Sequence, residues 1–212
     1  MPLIQKAIPA VIQQSIPAVS TTFLTALVST YSVTAIAAYG VTGKLETILF
    51  YPAMALNMVL TTIIGQCAGG KRYDRAKDYL KCALGYGCVL LVILSAAVVG
   101  FSQQLSGLFV KSSDVAVIVG TYFLIVSIGY ILNTVTNCYL GTLNGMGSPS
   151  KSMFLMIFYY IIVRMPLAYL LSYLGLNGIW VAVLISHIIA SIAAIFTGAI
   201  YMKKNEVSVK AI

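Results

Sequence analysis

The chain has 212 residues, 60% of them hydrophobic and only 8% charged, with a net charge of +8 and a mean hydropathy of +0.96. A soluble domain carries about 25% charged and about 45–50% apolar residues, so a water-facing fold could not hide this much apolar surface and lipid must solvate much of it. At roughly 20 apolar residues per span, the length allows six or seven helices with no soluble domain beside them, and the basic residues flank apolar runs rather than forming the continuous patch of a nucleic-acid binder.

Six apolar stretches follow one another. The first covers 8–31 and is interrupted by Pro9, Gln13, Gln14 and Pro17, which does not fit a cleaved signal peptide. The second, 33–65, is long for one span and contains Gly40, Gly43, Lys44, Glu46 and Pro52, so it is expected to bend or break. The others cover 80–101, 115–143, 153–174 and 179–202, followed by a short cytoplasmic tail at 203–212. The runs are continuous, without the alternation of barrel strands, and a helix satisfies its own backbone in hydrocarbon. The expected fold is all-α: a polytopic membrane protein with a single six-helix bundle.

Charge fixes the expected orientation. The segment joining the second and third stretches holds Lys71, Arg72, Arg75, Lys77 and Lys81. Lys6, Lys151, Lys203, Lys204 and Lys210 fall on the same side if the helices alternate, and the opposite side receives Lys111. The positive-inside rule then places both termini and the basic loop in the cytoplasm.

Little here can do covalent chemistry. Asp74, Asp78, Asp114 and Glu206 lie in expected loops or the tail, Gly145-Met146-Gly147 follows no strand, and Cys67, Cys82, Cys88 and Cys138 make no CxxC pair. An enzyme, a metal centre and an organic cofactor are not expected.

Glu46 is the acid of interest, because a carboxylate among apolar residues is costly unless paired or protonated. Two readings are open: a site binding a proton, a sodium ion or a cationic compound, or a solvated acid near the outer interface. Lys44, two residues away, points to a different side of a straight helix. Tyr39, Ala53 and Asn57 share the face of Glu46. Asn133, Asn137 and Asn144 form a second polar stripe, and Gln14, Thr21, Thr25 and Ser32 a third. Such stripes face a cavity or hydrogen-bond a neighbouring helix. Arg164 is expected to snorkel to the interface or bind helix-end carbonyls, and His187 to be a packed, hydrogen-bonded residue. Tyr159 and Tyr160 could stack on cations, whereas Tyr169 and Tyr173 fit interfacial anchors. Gly141 with Gly145, and Gly65 with Gly69, are spaced for close helix approach or for turns.

Several stretches in order carry a resemblance. They are Ala37-Ala38-Tyr39-Gly40, Lys44-Leu45-Glu46, Pro52, Thr61-Thr62-Ile63-Ile64-Gly65-Gln66 and the basic Tyr73-Asp74-Arg75-Ala76-Lys77. Later come Leu143-Asn144-Gly145-Met146-Gly147, Arg164-Met165-Pro166-Leu167-Ala168-Tyr169-Leu170-Leu171 and Gly175-Leu176-Asn177-Gly178-Ile179-Trp180. Together they resemble the second half of bacterial multidrug and toxic compound extrusion (MATE) transporters, with Cys67 where that family usually has Asn.

The resemblance implies antiport across a bacterial plasma membrane: a proton or sodium ion enters while an amphipathic, cationic compound leaves. It also implies a partner six-helix lobe, in a longer chain, another polypeptide or a second copy. The alternatives are a lipid-linked oligosaccharide flippase, which would need several cations in its cavity, and a non-transporting fragment.

Overall fold

The computed structural model describes the backbone of residues 2–210 and the side chains of residues 7–204. Met1 and the side chains of Lys6, Glu206 and Lys210 lie outside the described residues. Among those described the chain is helical, without strands, and six helices are long and apolar enough to cross a membrane.

Helix α1 is Pro2–Ser29, α2 is Val33–Gly69, α3 is Tyr73–Gly100, the short α4 is Ser102–Gly107, and α5 is Ser113–Gly145. Helix α6, Pro149–Ile157, passes through a π-helical segment, Phe158–Arg164, into α7, Met165–Ser172, so these three make one span. Helix α8, Leu176–Lys210, closes the bundle and extends into the stretch expected to be a tail.

Two expectations are corrected in part. The second stretch, expected to bend or break, does not break: it is one continuous helix of 37 residues through its glycines and Pro52. At 1.5 Å per residue it measures about 55 Å, so it spans roughly 30 Å of hydrocarbon and still projects beyond it. The basic segment is also mostly helix: only residues 70–72 turn, and Asp74, Arg75, Lys77, Asp78 and Lys81 ride on the first turns of α3. The charges end the apolar run but not the helix, since long charged side chains are good helix formers. Lys71 makes the turn at φ 57°, and Arg72 N–H closes it on the Cys67 carbonyl at 2.8 Å.

The π segment also has a local cause. Pro166 lacks an N–H, and its ring would crowd the carbonyl four residues back. The wider turn accommodates it, with Met165 N–H reaching back to the Tyr160 carbonyl.

Helix α5 is central, packed against α2 on one side and α8 on the other, with α3 across α2 and α5. Helix α1 lies over α6 and the start of α2. The up-and-down order puts Lys71, Arg72, Arg75, Lys77, Lys81, Lys151, Lys203 and Lys204 at one end and Lys111 at the other. At the basic end Lys151 Nζ sits 3.4 Å over the Tyr201 ring, and Leu60, Ile64, Leu80, Cys138 and Met202 pack together. The opposite end is pinned by Tyr31, whose hydroxyl donates to the Ser172 carbonyl. The outer surface is apolar, with Val89, Ile93, Leu124, Ile192 and Phe196 exposed, as a lipid-facing surface requires. The four cysteines are free.

Candidate functional site

Two hollows between the helices, among the described residues, gather the polar side chains. The inner cavity, of about 40 Å³, lies among α1, α2, α5, α8 and the π segment. Glu46 enters it from α2, one residue after Leu45 turns into the core. The hydroxyls of Tyr122 and Tyr130, both on α5, donate to the same carboxylate oxygen, Oε1, that of Tyr130 at 2.6 Å. Oε2 has no protein partner among the described residues. One oxygen is thus fixed by two neutral donors, and the other is free for a proton or cation. Glu46 therefore lies inside the bundle, half-buried, and not on its outer surface.

An aromatic wall holds this acid. Tyr39 stacks on Trp180 with ring centroids 5.6 Å apart, and Tyr122 meets Trp180 edge-on at 4.7 Å. Phe50 meets Tyr130 edge-on at 5.6 Å. Buried aromatic pairs of this kind fix ring orientation, which aims both tyrosine hydroxyls at Glu46.

Across the cavity stands Arg164, which corrects the expectation of an interfacial arginine. It is 6% exposed and lines the same cavity as Glu46. Its Nε donates to Ser186 Oγ at 3.0 Å, and its Nη2 to Tyr159 Oη at 2.5 Å and to His187 Nε2 at 3.1 Å. The rings of Tyr159 and Tyr160 flank the guanidinium at 4.8 and 4.7 Å. A guanidinium only donates, so His187 Nε2 must present its lone pair, leaving the ring proton on Nδ1, 2.7 Å from Tyr159 Oη. Gly129 makes room for this imidazole: a methyl there would lie 2.7 Å from His187 Cδ2.

The second hollow is a cleft of about 90 Å³ running between α1, α2, α5 and α6. Gln13, Gln14, Asn57, Asn133 and Asn137 supply its amides, and Met54, Met58 and Met156 its flexible apolar surface. Asn57 Nδ2 donates to Asn137 Oδ1 at 3.3 Å, and Asn137 Nδ2 to the Asn133 carbonyl at 3.0 Å. Asn133 is 3% exposed, yet its Nδ2 has no partner. Phe50 and Tyr160 line both hollows and divide them.

The residues singled out in the sequence separate accordingly. Glu46, Tyr39 and Arg164 meet at the inner cavity, and Asn57, Gln14, Asn133 and Asn137 at the cleft. Lys44 is exposed and lines neither. Of the stripe on α1, Thr21 reaches the cavity, whereas Ser32 caps α2 by accepting from Ala35 N–H at 3.0 Å. The residues missed are Tyr122, Tyr130 and Trp180. A signal existed, since a tyrosine deep in an apolar helix needs a partner for its hydroxyl. Tyr122 and Tyr130 also sit at eight-residue spacing on the buried face of α5.

The comparisons with known proteins fit this architecture. The family model MatE matches residues 9–170. A relative in Pasteurella multocida, described as "Probable multidrug resistance protein NorM", is 31% identical over 153 residues, covering 69% of this chain and 33% of that protein. One in Shewanella oneidensis described as "FAD transporter" is 27% identical over 154 residues, 72% of this chain and 34% of that protein. Among solved structures, the Vibrio cholerae MATE transporter VcmN in its bent form superposes with a TM-score of 0.87 at 20% identity, over 94% of this chain and 46% of that one. An outward-facing multidrug resistance MATE transporter superposes with a TM-score of 0.89 at 18% identity, again over 94% and 46%. The chain thus spans about a third of these curated relatives and about half of the solved chains. With the match extending over most of its helices, this chain belongs to the MATE family, whose members are membrane transporters rather than enzymes.

Proposed function

We propose that the chain is one lobe of a cation-coupled antiporter that exports amphipathic organic cations, with a proton or sodium ion as the coupling species. The observation that carries this reading is the carboxylate of Glu46, fixed by Tyr122 and Tyr130 on one oxygen and open to a cavity on the other. A single carboxylate serves one cation at a time, so an inward-moving ion and the head of an outgoing compound compete there. The adjoining cleft suits the apolar body of such a compound: methionines adapt their shape, and the face of Tyr160 attracts positive charge.

The lobe works against a second six-helix lobe or a second copy of itself. Gln14, Thr21 and Thr25 are exposed along one face of α1, and Met58 beside the cleft is 68% exposed. Polar groups at that depth are poorly matched to lipid, and a facing lobe or a water-filled passage suits them. The basic end faces the cytoplasm of a bacterial plasma membrane. The flippase reading is weaker, because among the described residues Arg164 is the one cation lining the inner cavity and Lys44 lines neither hollow.

The test is ethidium efflux from cells making the chain with and without a first MATE lobe. Efflux is expected with the added lobe, and Glu46→Gln is expected to abolish its dependence on the ion gradient while leaving membrane insertion intact. Imposing a proton gradient and a sodium gradient separately identifies the ion. Unchanged gradient-driven efflux in Glu46→Gln would remove Glu46 from the coupling step.

A further inference from the structure

Neither hollow described above accounts for a groove on the outer flank of the bundle. It runs between α6 and α8 at the basic end, as two adjoining hollows of about 330 and 300 Å³ that share Lys151 and Thr197. Its origin lies in the π-helical span: the π segment packs closely on α8, whereas α6 hardly touches it, so the two helices part toward the basic end.

The groove has a charged mouth and an apolar floor. Lys151 and Lys204 stand at the mouth with Tyr201. Lys151 is held there: its Nζ lies 3.4 Å over the Tyr201 ring, and the Tyr201 hydroxyl hydrogen-bonds to Ser148 Oγ. Phe154, Phe158, Ala193, Phe196 and Ile200 make most of the floor, with Phe154 64% and Phe196 70% exposed. Among the described residues no carboxylate lines it. At 1.5 Å per residue, Phe158 lies about 10 Å deeper than Lys151, and Ala193 about 16 Å deeper than Lys204. The charges therefore sit at the ends of the spans, where lipid headgroups lie, and the floor reaches into hydrocarbon.

We infer that this groove is a binding site for one anionic phospholipid, with its phosphate on Lys151 and Lys204 and an acyl chain along the aromatic floor. The inference does not depend on the reading of Glu46. An apolar face alone would accept any lipid chain; two lysines with no carboxylate beside them select a negative headgroup. An ammonium already positioned by a tyrosine ring loses less freedom when the phosphate arrives. A facing protein lobe is the poorer occupant. The polar side chains along the exposed face of α1 suit such a lobe, whereas the floor of this groove is apolar apart from Thr197, as a lipid chain requires.

The test is selective retention of lipid. The 212-residue chain, stripped of lipid in an uncharged detergent at about 0.15 M salt, would be incubated with phosphatidylglycerol, with phosphatidylcholine of the same acyl chains, or with inorganic phosphate. Native mass spectrometry counts what stays bound. One phosphatidylglycerol per chain is expected, held about 25-fold better than phosphatidylcholine, from about fivefold for each lysine. Lys151→Gln and Lys204→Gln should each lower that ratio about fivefold, and the double variant should abolish it. Lys204→Gln carries the test if losing the Lys151 contact to Tyr201 unfolds the chain. Lys203 is exposed on the same turn of α8 but lines no part of the groove, so Lys203→Gln should leave the ratio within about twofold, its charge being screened. Ala193→Phe keeps both charges, fills the floor and should weaken both lipids.

Equal retention of the two lipids by the native chain would overturn the inference. So would a ratio that survives in the double variant, or one that Lys203→Gln lowers as much as Lys204→Gln does. Displacement of phosphatidylglycerol by an equal concentration of inorganic phosphate would make the mouth a free-anion site, and the inference falls. Native retention in Ala193→Phe would mean that no acyl chain lies in the groove, which overturns it equally. None of these results bears on Glu46.

Discussion

Helices α2 and α5 run in parallel through the bundle, and their two halves are built on opposite plans. Toward the basic end the backbones nearly touch. A methyl group on Gly141 would lie 2.5 Å from the Asn57 carbonyl oxygen, and one on Gly145 2.8 Å from that of Thr61. Thr61 Oγ1 crosses the seam to the Gly141 carbonyl at 3.3 Å. Toward the other end the same helices are held apart by aromatic rings, and the space between them admits Glu46 with its tyrosine donors. Between lipid-solvated helices there is no hydrophobic drive to associate, so attraction comes from close packing and interhelical hydrogen bonds. The glycine half supplies that attraction, and it allows the other half to stay hollow and polar. One half fixes the pair and the other is free to bind.

If this division is right, damage to the hollow half should cost transport and spare assembly. Glu46→Asp is the sharpest case. The shorter side chain keeps the charge but withdraws it by one methylene from Tyr122 and Tyr130. A loss of about 100-fold in gradient-driven ethidium efflux is expected, from one or two charged hydrogen bonds of about 1.5–3 kcal/mol each. Thermal unfolding in micelles should move little. Native efflux in this variant would mean that the tyrosine contacts do not matter to coupling.

Damage to the glycine half should do the reverse. In Gly141→Ala the added methyl meets the Asn57 backbone, which cannot rotate away as a side chain could. Overpacking of this kind costs about 1–3 kcal/mol. A lowered midpoint of thermal unfolding is expected, with the fluorescence response of Trp180 to cations retained at temperatures where the chain stays folded. A stable Gly141→Ala that has lost cation binding would break the comparison.

The sequence carried these two halves unequally. Gly141 and Gly145 were legible as a close-approach spacing, although their partners, Asn57 and Thr61, were not, because small-residue spacing shows one side of a contact only. The six spans are legible from unbroken apolar length, but their ends are not, because a run of charges marks the end of the apolar stretch and not of the helix, as on the first turns of α3. Glu46 stood out as an acid amid apolar residues. Arg164 stands out in the sequence as a charge, but its place inside the bundle does not, because depth along a span gives no indication of direction around it. Its burial depends on the π turn before Pro166, and a proline in sequence announces a disturbance without saying which kind. Tyr122 and Tyr130 were hidden because they contribute only a hydroxyl, and whether that hydroxyl meets an acid depends on how α5 packs against α2.

A milder change within the hollow half is Tyr130→Phe. It keeps the ring against Phe50 and removes one of two donors to Glu46. Ion affinity is expected to change by about tenfold, the worth of one such bond, with the native unfolding midpoint kept within a few degrees. Proton- or sodium-dependence curves of efflux would show it as a lateral shift. A collapse of the maximal rate instead would mean that Tyr130 does more than hold the carboxylate.

The smallest effect belongs where the two halves meet. Asn57 and Asn137 bond across the α2–α5 seam at the mouth of the cleft, next to the point where Gly141 brings the backbones together. Asn137→Ala removes a neutral interhelical hydrogen bond, and such bonds between membrane helices contribute about 0.6 kcal/mol on average. It also frees a little of the cleft wall. The expected result is a change of two- to three-fold or so in the apparent KM for ethidium, consistent with that energy. The maximal rate and ion dependence should be native, because Asn137 is absent from the inner cavity. Were Asn137→Ala to alter ion dependence as strongly as Tyr130→Phe, the cleft and the inner cavity would behave as one site, and Phe50 and Tyr160 would not divide them.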